Sequence, residues 1–162
     1  MPHLFASRKA ASRPPREAAP QLDSMVFGSA APVAVAAEES ADELAKRIAR
    51  RDESFQQMLL RLIDTSGLTD AQCYKKAGLD RKLFSKIRGD VHYRPSKRTA
   101  VALALALELD LARTKELLEK AGFALSRSSV FDIIITYFVE RGEYDLFTVN
   151  EALYAFDQPT LF

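Results

Sequence analysis

Four cationic side chains lie within eight consecutive residues in the middle of the sequence: Arg81, Lys82, Lys86 and Arg88. They alternate with Leu83, Phe84 and Ile87, whose spacing is typical of the buried side of a helix. A guanidinium group can donate two parallel hydrogen bonds to O6 and N7 of guanine, and an ammonium group binds phosphate oxygens as a point charge. A short helix with this pattern therefore has the size and charge to enter the major groove of DNA.

Two short helices joined by a tight turn must position these cations, and residues 69–89 predict both of them. Thr69 followed by Gln72 is a capping box that begins the first helix. Gly78 suits the left-handed residue that ends it, and Asp80 is the N-cap of the second helix. The sequence therefore predicts a helix–turn–helix with its cations on the second helix.

The charge is unevenly distributed along the chain, although the net charge is only +1. Residues 75–98 contain nine Lys or Arg against two Asp, a local balance of +7. Residues 126–162 contain two Arg against six Asp or Glu, a local balance of −4. Local potential governs attraction to a polyanion, so the basic segment is a candidate surface for nucleic acid; the alternative is an ordinary solvated helical face.

Most of the remaining chain also has helical spacing, and the predicted fold class is all-α: a compact bundle of short helices that includes the helix–turn–helix, plus two C-terminal helices. Ser40 with Glu43 predicts a capping box for a charged helix. Phe55, Leu59, Leu62 and Ile63 predict the next helix. Residues 99–109 are apolar nearly all round, which predicts a buried central helix between caps at Ser96 and Asp110.

The C-terminal part predicts two further helices. Ser128 or Ser129 caps the first, whose stripe contains Phe131, Ile134, Ile135 and Phe138 and is widened by Val130, Ile133 and Tyr137. Thr148 with Glu151 is predicted to form the capping box of the second helix.

Four segments are expected: a disordered tail over 1–37, a charged helical lead-in over 38–51, the helix–turn–helix domain over 52–123, and a helical extension over 124–162 that packs on it. Met25 is an alternative start, so residues 1–24 need not belong to the native protein.

The lone Cys73, expected in the core, fits a reducing cytoplasm. The longest apolar run, 100–107, is too short to cross a membrane.

Enzyme chemistry has little support in the sequence. We find no phosphate-cradling glycine loop and no serine or cysteine paired recognisably with a histidine. One cysteine and two histidines cannot supply a structural zinc site. We therefore expect no catalytic residue, no metal site and no cofactor.

The order of parts from 55 to 122 resembles the Cro/C1-type, phage-repressor-like helix–turn–helix domains. The resemblance rests on SGL, TDAQCYKKAGL, DRKLFSKIRG, the Pro95-Ser96 loop and TAVALALALEL. The phrases DRKLFSKIR, PSK and NEAL…FDQP are also similar to a bacterial family of small helix–turn–helix-like proteins, found alone or attached to other domains.

The Cro/C1-type resemblance implies a transcriptional regulator that binds double-stranded DNA. By position it implies base-reading roles for Arg81, Lys82 and Lys86. It implies phosphate contacts from five residues: Thr69, Arg88, Tyr93, Arg94 and Lys97.

The sequence departs from the family pattern at four positions. Asp70 stands where Gln often contacts the DNA backbone, and Tyr74 replaces a small residue, which predicts wider packing of the two helices. Leu83 is apolar near the reading face. Arg88 replaces a common Glu, and we expect Asp64 as its partner in a charge-reversed pair.

Partners other than DNA are open at this point. A dimer or partner surface is expected on the acidic C-terminal helices at Phe131, Ile135, Tyr137, Phe138 and Tyr154, although core packing is the favoured interpretation of the stripe. The main alternative function is a protein-interaction module, an adaptor or antitoxin-like protein on a helix–turn–helix scaffold. RNA binding is a third hypothesis, because Tyr93 beside His92 and Arg94 can stack on an unpaired base.

Overall fold

The computed structural model describes residues 30–162, with side chains from residue 34 onward. Eight α-helices and no strand occur in this range, so the all-α prediction is confirmed. The helices are α1 (Ala30–Ala49), α2 (Phe55–Ser66), α3 (Asp70–Lys76), α4 (Arg81–Gly89), α5 (Lys97–Ala106), α6 (Leu111–Lys120), α7 (Val130–Glu140) and α8 (Leu146–Ala155).

The chain divides into two compact units, with the boundary between Arg50 and Arg51. The described part of the first unit is α1, on which Arg47 Nε lies 3.3 Å from Glu43 Oε1, one turn away. The helix begins at Ala30, so the capping box predicted at Ser40 is wrong. The alanines of residues 30–37 favour helix. Residues 1–29 of the predicted tail lie outside the described range.

The second unit is built around α5, as predicted. Every residue from Ala100 to Ala106 is buried, and the helix packs against α3, α6 and α8. Its small alanines allow neighbouring helices to approach on several sides, while Val101, Leu103 and Leu105 fill the interior. The helix–turn–helix is thereby anchored through α3 to the core of the unit.

Side-chain caps set the ends of α3 and α4 as the sequence predicts. Gln72 N–H donates to Thr69 Oγ1 over 3.1 Å, and Thr69 N–H donates to Gln72 Oε1 over 2.9 Å. Asp80 Oδ1 accepts from Leu83 N–H over 2.6 Å. Gly78 has a φ of +70° and reverses the chain between the two helices.

The C-terminal helices require two corrections. The stripe of Phe131, Ile134, Ile135 and Phe138 is buried as predicted, but Val130, Ile133 and Tyr137 are exposed and do not widen it. The N-cap of α8 is Asp145, which accepts from both the N–H and the Oγ1 of Thr148, so the capping box predicted at Thr148 and Glu151 is wrong. These bonds also lower the pKa of the Asp145 carboxyl.

After α8 the chain returns to the helix–turn–helix. Leu161 is buried, and its N–H donates to Asn150 Oδ1 over 2.7 Å. Arg98 on α5 donates to Thr160 O over 3.1 Å. The ring of Phe162 lies against Gly78, where it occupies the space that a Cβ would need.

Candidate nucleic-acid interface

Helix α4 has one buried side and one exposed side. Phe84 and Ile87 are buried, whereas Arg81, Lys82 and Lys86 are exposed. At about 100° of rotation per residue, the three cations fall within an arc of about 140° that points away from the two buried side chains. The base-reading residues implied by the family resemblance therefore share the outer face of one short helix.

Tyr74 on α3 fills the space between the two helices of the motif. Its ring centroid lies 5.6 Å from that of Phe84, and the ring planes are tilted by 41°. Leu83 is half-buried and packs against the same core, so it is only partly available to a ligand. Two of the four departures from the family pattern thus have packing roles within the motif.

The other two departures pair with each other. Arg88 Nη1 lies 2.7 Å from Asp70 Oδ2, so the partner of Arg88 is Asp70 on α3, and the expected pair with Asp64 is wrong. The Arg88 carbonyl also accepts from Gln56 Nε2 over 2.8 Å. Arg88 therefore connects α4 to α3 and α2, which does not fit its expected role as a phosphate contact.

Lys97, a second expected phosphate contact, points instead to the C-terminal helices. Its Nζ lies 2.7 Å from Asp132 Oδ1 and 2.9 Å from Oδ2, with hydrogen-bond geometry toward Oδ2. Asp132 Oδ2 also accepts from Ser126 N–H over 2.8 Å. The charge of Lys97 is balanced inside the molecule, so the phosphate role does not fit it.

Three expected phosphate contacts remain. The N–H and Oγ1 of Thr69 are engaged in the capping box of α3, and its carbonyl accepts from Cys73 N–H. Tyr93 is half-buried and follows the loop from α4, where its N–H donates to Asp90 O over 3.1 Å. Arg94 is exposed, and Lys86, Gly89, Asp90 and Tyr93 line a shallow depression nearby. The sequence does not indicate this depression.

The cations of this region separate into paired and unpaired groups. Lys76 pairs with Glu108 over 3.2 Å, and Arg88 and Lys97 pair with the aspartates described above. Within residues 34–162, no carboxylate oxygen lies within 4.0 Å of the charged nitrogens of Arg81, Lys82, Lys86 or Arg94. The cations on the outer face of α4 and in the following loop thus keep an uncompensated positive charge.

The expected partner surface is only partly exposed. Phe131, Ile135 and Phe138 are buried in the core, which confirms the core-packing interpretation and makes their assignment to a surface wrong. Tyr137 and Tyr154 are exposed. The sequence interpretation misses three exposed aromatic residues: Phe147, Phe156 and Phe162. Phe147 and Tyr154 are seven residues apart, which puts them on one helix face. This spacing is a sequence signal that could have added Phe147 to the surface predicted around Tyr154.

Neither metal-binding groups nor membrane spans are found in the described part of the chain. No cluster of three His, Cys, Asp or Glu side chains there could hold a metal ion, and no described helix is both long and apolar enough to cross a membrane. Cys73 is buried, and burial raises the pKa of its thiol to about 11, which opposes nucleophilic use.

Comparison of the chain with models of protein families, with curated proteins and with solved structures finds no match.

Proposed function

We propose that the unit from Arg51 to Phe162 binds double-stranded DNA with the outer face of α4 and acts as a transcriptional regulator. The observation that carries this proposal is the contrast between neighbouring cations. Within residues 75–98, Lys76, Arg88 and Lys97 pair with carboxylates, and Arg98 donates to a backbone carbonyl. Arg81, Lys82 and Lys86 on the outer face of α4 have no carboxylate of the described chain within 4.0 Å, and neither has the exposed Lys75 on α3. If the three cations of α4 stabilised the fold, they would pair with carboxylates of the protein. A polyanionic ligand would instead provide the negative charges that they lack.

In the proposed complex α4 lies in the major groove. Arg81, in the first turn of the helix, contacts a base edge, where a guanidinium can bind guanine through two hydrogen bonds. Lys82 reads a neighbouring base. Lys86 lies one turn after Lys82 and lines the depression with Tyr93, and this end of the helix contacts phosphates. Asp70 does not oppose this arrangement, because its charge is balanced by Arg88.

A protein-interaction module is the second candidate function. It is favoured by the exposed aromatic side chains of the C-terminal part, which are Tyr137, Phe147, Tyr154, Phe156 and Phe162. Aromatic residues are enriched at protein interfaces, where they bury a large area at low entropic cost. In this alternative the helix–turn–helix is a scaffold, and α4 is not required for the main contact.

The test is a salt series of binding to random-sequence duplex DNA, followed by fluorescence anisotropy. The proposal requires binding at low salt and a steep linear fall of log K with log salt concentration. Arg81→Ala with Lys86→Ala should weaken binding at low salt by at least about tenfold and reduce the salt slope by about one, because Lys86 is the phosphate contact of the two and Arg81 contacts a base edge.

Arg113→Ala is the matched control for Arg81→Ala. Both residues are exposed arginines in the first turn of a helix, and both substitutions change the net charge by the same amount. Arg113 lies on α6 and should leave DNA binding nearly unchanged. Absence of binding at low salt, or equal losses from the two substitutions, would reject the proposal and favour the interaction module.

A further inference from the structure

We infer that the exposed stripe of α7 binds the same stripe of a second copy of this chain, with the two helices antiparallel. The stripe consists of Val130, Ile133 and Tyr137, whose side chains are 45%, 50% and 52% exposed. Their spacing of three and four residues places them on one side of the helix. This inference uses residues outside α4 and holds whether or not the protein binds DNA.

The stripe borders a groove lined by both apolar and polar side chains. Leu111 of α6 and Leu125 of the α6–α7 loop are half-buried and line it together with Ile133 and Tyr137. Arg127, just before α7, and Glu140, its last residue, line the same groove, as does Lys115 of α6. A contact along this groove therefore meets the apolar groups of the stripe and opposite charges at the two ends of α7, with Lys115 as a further cation.

The charge pattern identifies a second copy as the occupant. In the described chain, neither Arg127 nor Glu140 has an ion-pair partner within 4.0 Å. When two copies of α7 pair antiparallel about a two-fold axis near Ile133, Val130 faces Tyr137 of the second copy. The same register brings Arg127 opposite Glu140 in both directions, so the surface is complementary to itself, as an isologous dimer requires.

The expected affinity is modest. Three half-exposed side chains and a shallow groove cover less than the roughly 800 Å² per partner of a standard stable interface. We therefore expect a monomer–dimer equilibrium with a Kd in the micromolar range. The charges of Arg127 and Glu140 should specify the antiparallel register more than they strengthen the contact.

Sedimentation of the full chain without DNA, over a concentration series from low to several hundred micromolar, tests the inference. The wild type should shift from monomer to dimer. Ile133→Asp should raise the Kd at least about tenfold, because it places a charge at the centre of the apolar contact. Circular dichroism shows whether this variant keeps its helices, as expected for a half-exposed position.

A charge swap distinguishes this register from any other contact. Arg127→Glu and Glu140→Arg should each weaken the dimer, because each brings like charges together, and the double variant should restore the wild-type Kd to within about threefold. Tyr154→Asp, on the exposed surface of α8, is the control that should leave the Kd unchanged. A monomer at every concentration, a dimer insensitive to Ile133→Asp, or a double variant as weak as the single ones would overturn the inference.

Discussion

The Asp132 carboxylate lies inside the unit, with its side chain only 2% exposed, and Lys97 is the cation that balances it. The pair joins the first residue of α5 to α7, 35 residues further along the chain. A buried charge is tolerated only when it is paired and hydrogen-bonded, because desolvation otherwise costs several kcal/mol. The pair therefore fixes how α7 approaches α5.

Removing the cation of this pair should destabilise the protein strongly. We expect Lys97→Met to lower the free energy of unfolding by about 3 kcal/mol, the lower end of the range for a broken buried pair. The lower end applies because the Lys97 side chain keeps 30% exposure and water can reach the site when the lysine is replaced. Urea unfolding followed by circular dichroism measures the change.

Two further variants identify the cause of that loss. Asp132→Asn added to Lys97→Met should recover part of the stability, because it removes the unbalanced charge and still accepts from Ser126 N–H. Lys76→Met breaks the exposed pair with Glu108 and should cost no more than about 1 kcal/mol. Equal losses from Lys97→Met and Lys76→Met would contradict the buried-charge explanation.

The thiol of Cys73 should be unreactive in the folded protein. Burial raises its pKa to about 11, so at pH 8 only about one thiol in a thousand is the thiolate that attacks Ellman's reagent. Unfolding returns the pKa toward its ordinary value and raises that fraction about a hundredfold, so labelling in urea should be fast and labelling without urea slow. Rapid labelling of the native chain would show that the site opens readily.

At the scale of elements, the turn between α3 and α4 depends on one residue without a side chain. Gly78 has a φ of +70°, and Leu79 N–H donates to Tyr74 O over 2.8 Å to complete the reversal. The Phe162 ring covers this glycine, so the end of the chain packs on the turn of the helix–turn–helix. The Phe162 ring, which lies outside the helix–turn–helix, therefore helps to hold the angle at which α4 leaves the turn.

Gly78→Ala should cost more stability than Gly67→Ala. Both glycines are left-handed, so each substitution carries a backbone cost of about 1–2 kcal/mol. A Cβ at Gly67 meets nothing within 4 Å, whereas a Cβ at Gly78 displaces the Phe162 ring. Thermal unfolding of both variants, alone and with Phe162→Ala, isolates the contribution of the ring. In the Phe162→Ala background the two losses should become equal; a persisting difference would contradict the explanation.

The sequence predicts α2 to α6 well because their signals are local. The cap at Thr69, the glycine at Gly78 and the cap at Asp80 each act within three or four residues, and the structure has all three. The prediction for the cap of α8 is wrong because Asp145 and Thr148 are both good N-caps and lie one turn apart, so propensity alone does not choose between them.

Contacts between elements are less predictable from the sequence. Apolar spacing identifies α7 as amphipathic, but which of its apolar residues face outward depends on how α6 and α8 cover it. Val130, Ile133 and Tyr137 are therefore exposed against expectation. Similarly, the sequence suggests Asp64 as the partner of Arg88, whereas the geometry of the turn brings Asp70 to it.

At the scale of the whole molecule, the candidate interface consists of the cations that no carboxylate of the described chain neutralises. The sequence identifies nine cations in residues 75–98 but not the carboxylates that neutralise some of them. Lys97 is balanced by a residue on α7, and Lys76 by one 32 residues away. Only the folded chain shows that the outer face of α4 keeps its charge.

The described core belongs entirely to the second unit. All buried residues of the described range lie between Phe55 and Leu161, and the boundary between the units falls in a short segment without regular structure, 51–54. We therefore expect the unit from Arg51 to Phe162 to fold without the residues before it. A shortened chain that lacks residues 1–50 should keep the free energy of unfolding of the full chain to within about 0.5 kcal/mol, because independent parts contribute additively.

Limited trypsin digestion provides an independent measurement, since Arg50 and Arg51 are exposed at the boundary. The first stable product should begin at residue 51 or 52 and extend to the end of the chain. Cleavage inside α2 to α8 requires opening of the core and should follow only after global unfolding. Early cleavage within α4 would show that this helix opens without global unfolding. A loss of several kcal/mol on deletion would show that the first unit stabilises the second, and the binding experiments on α4 would then have to be interpreted as properties of both units together.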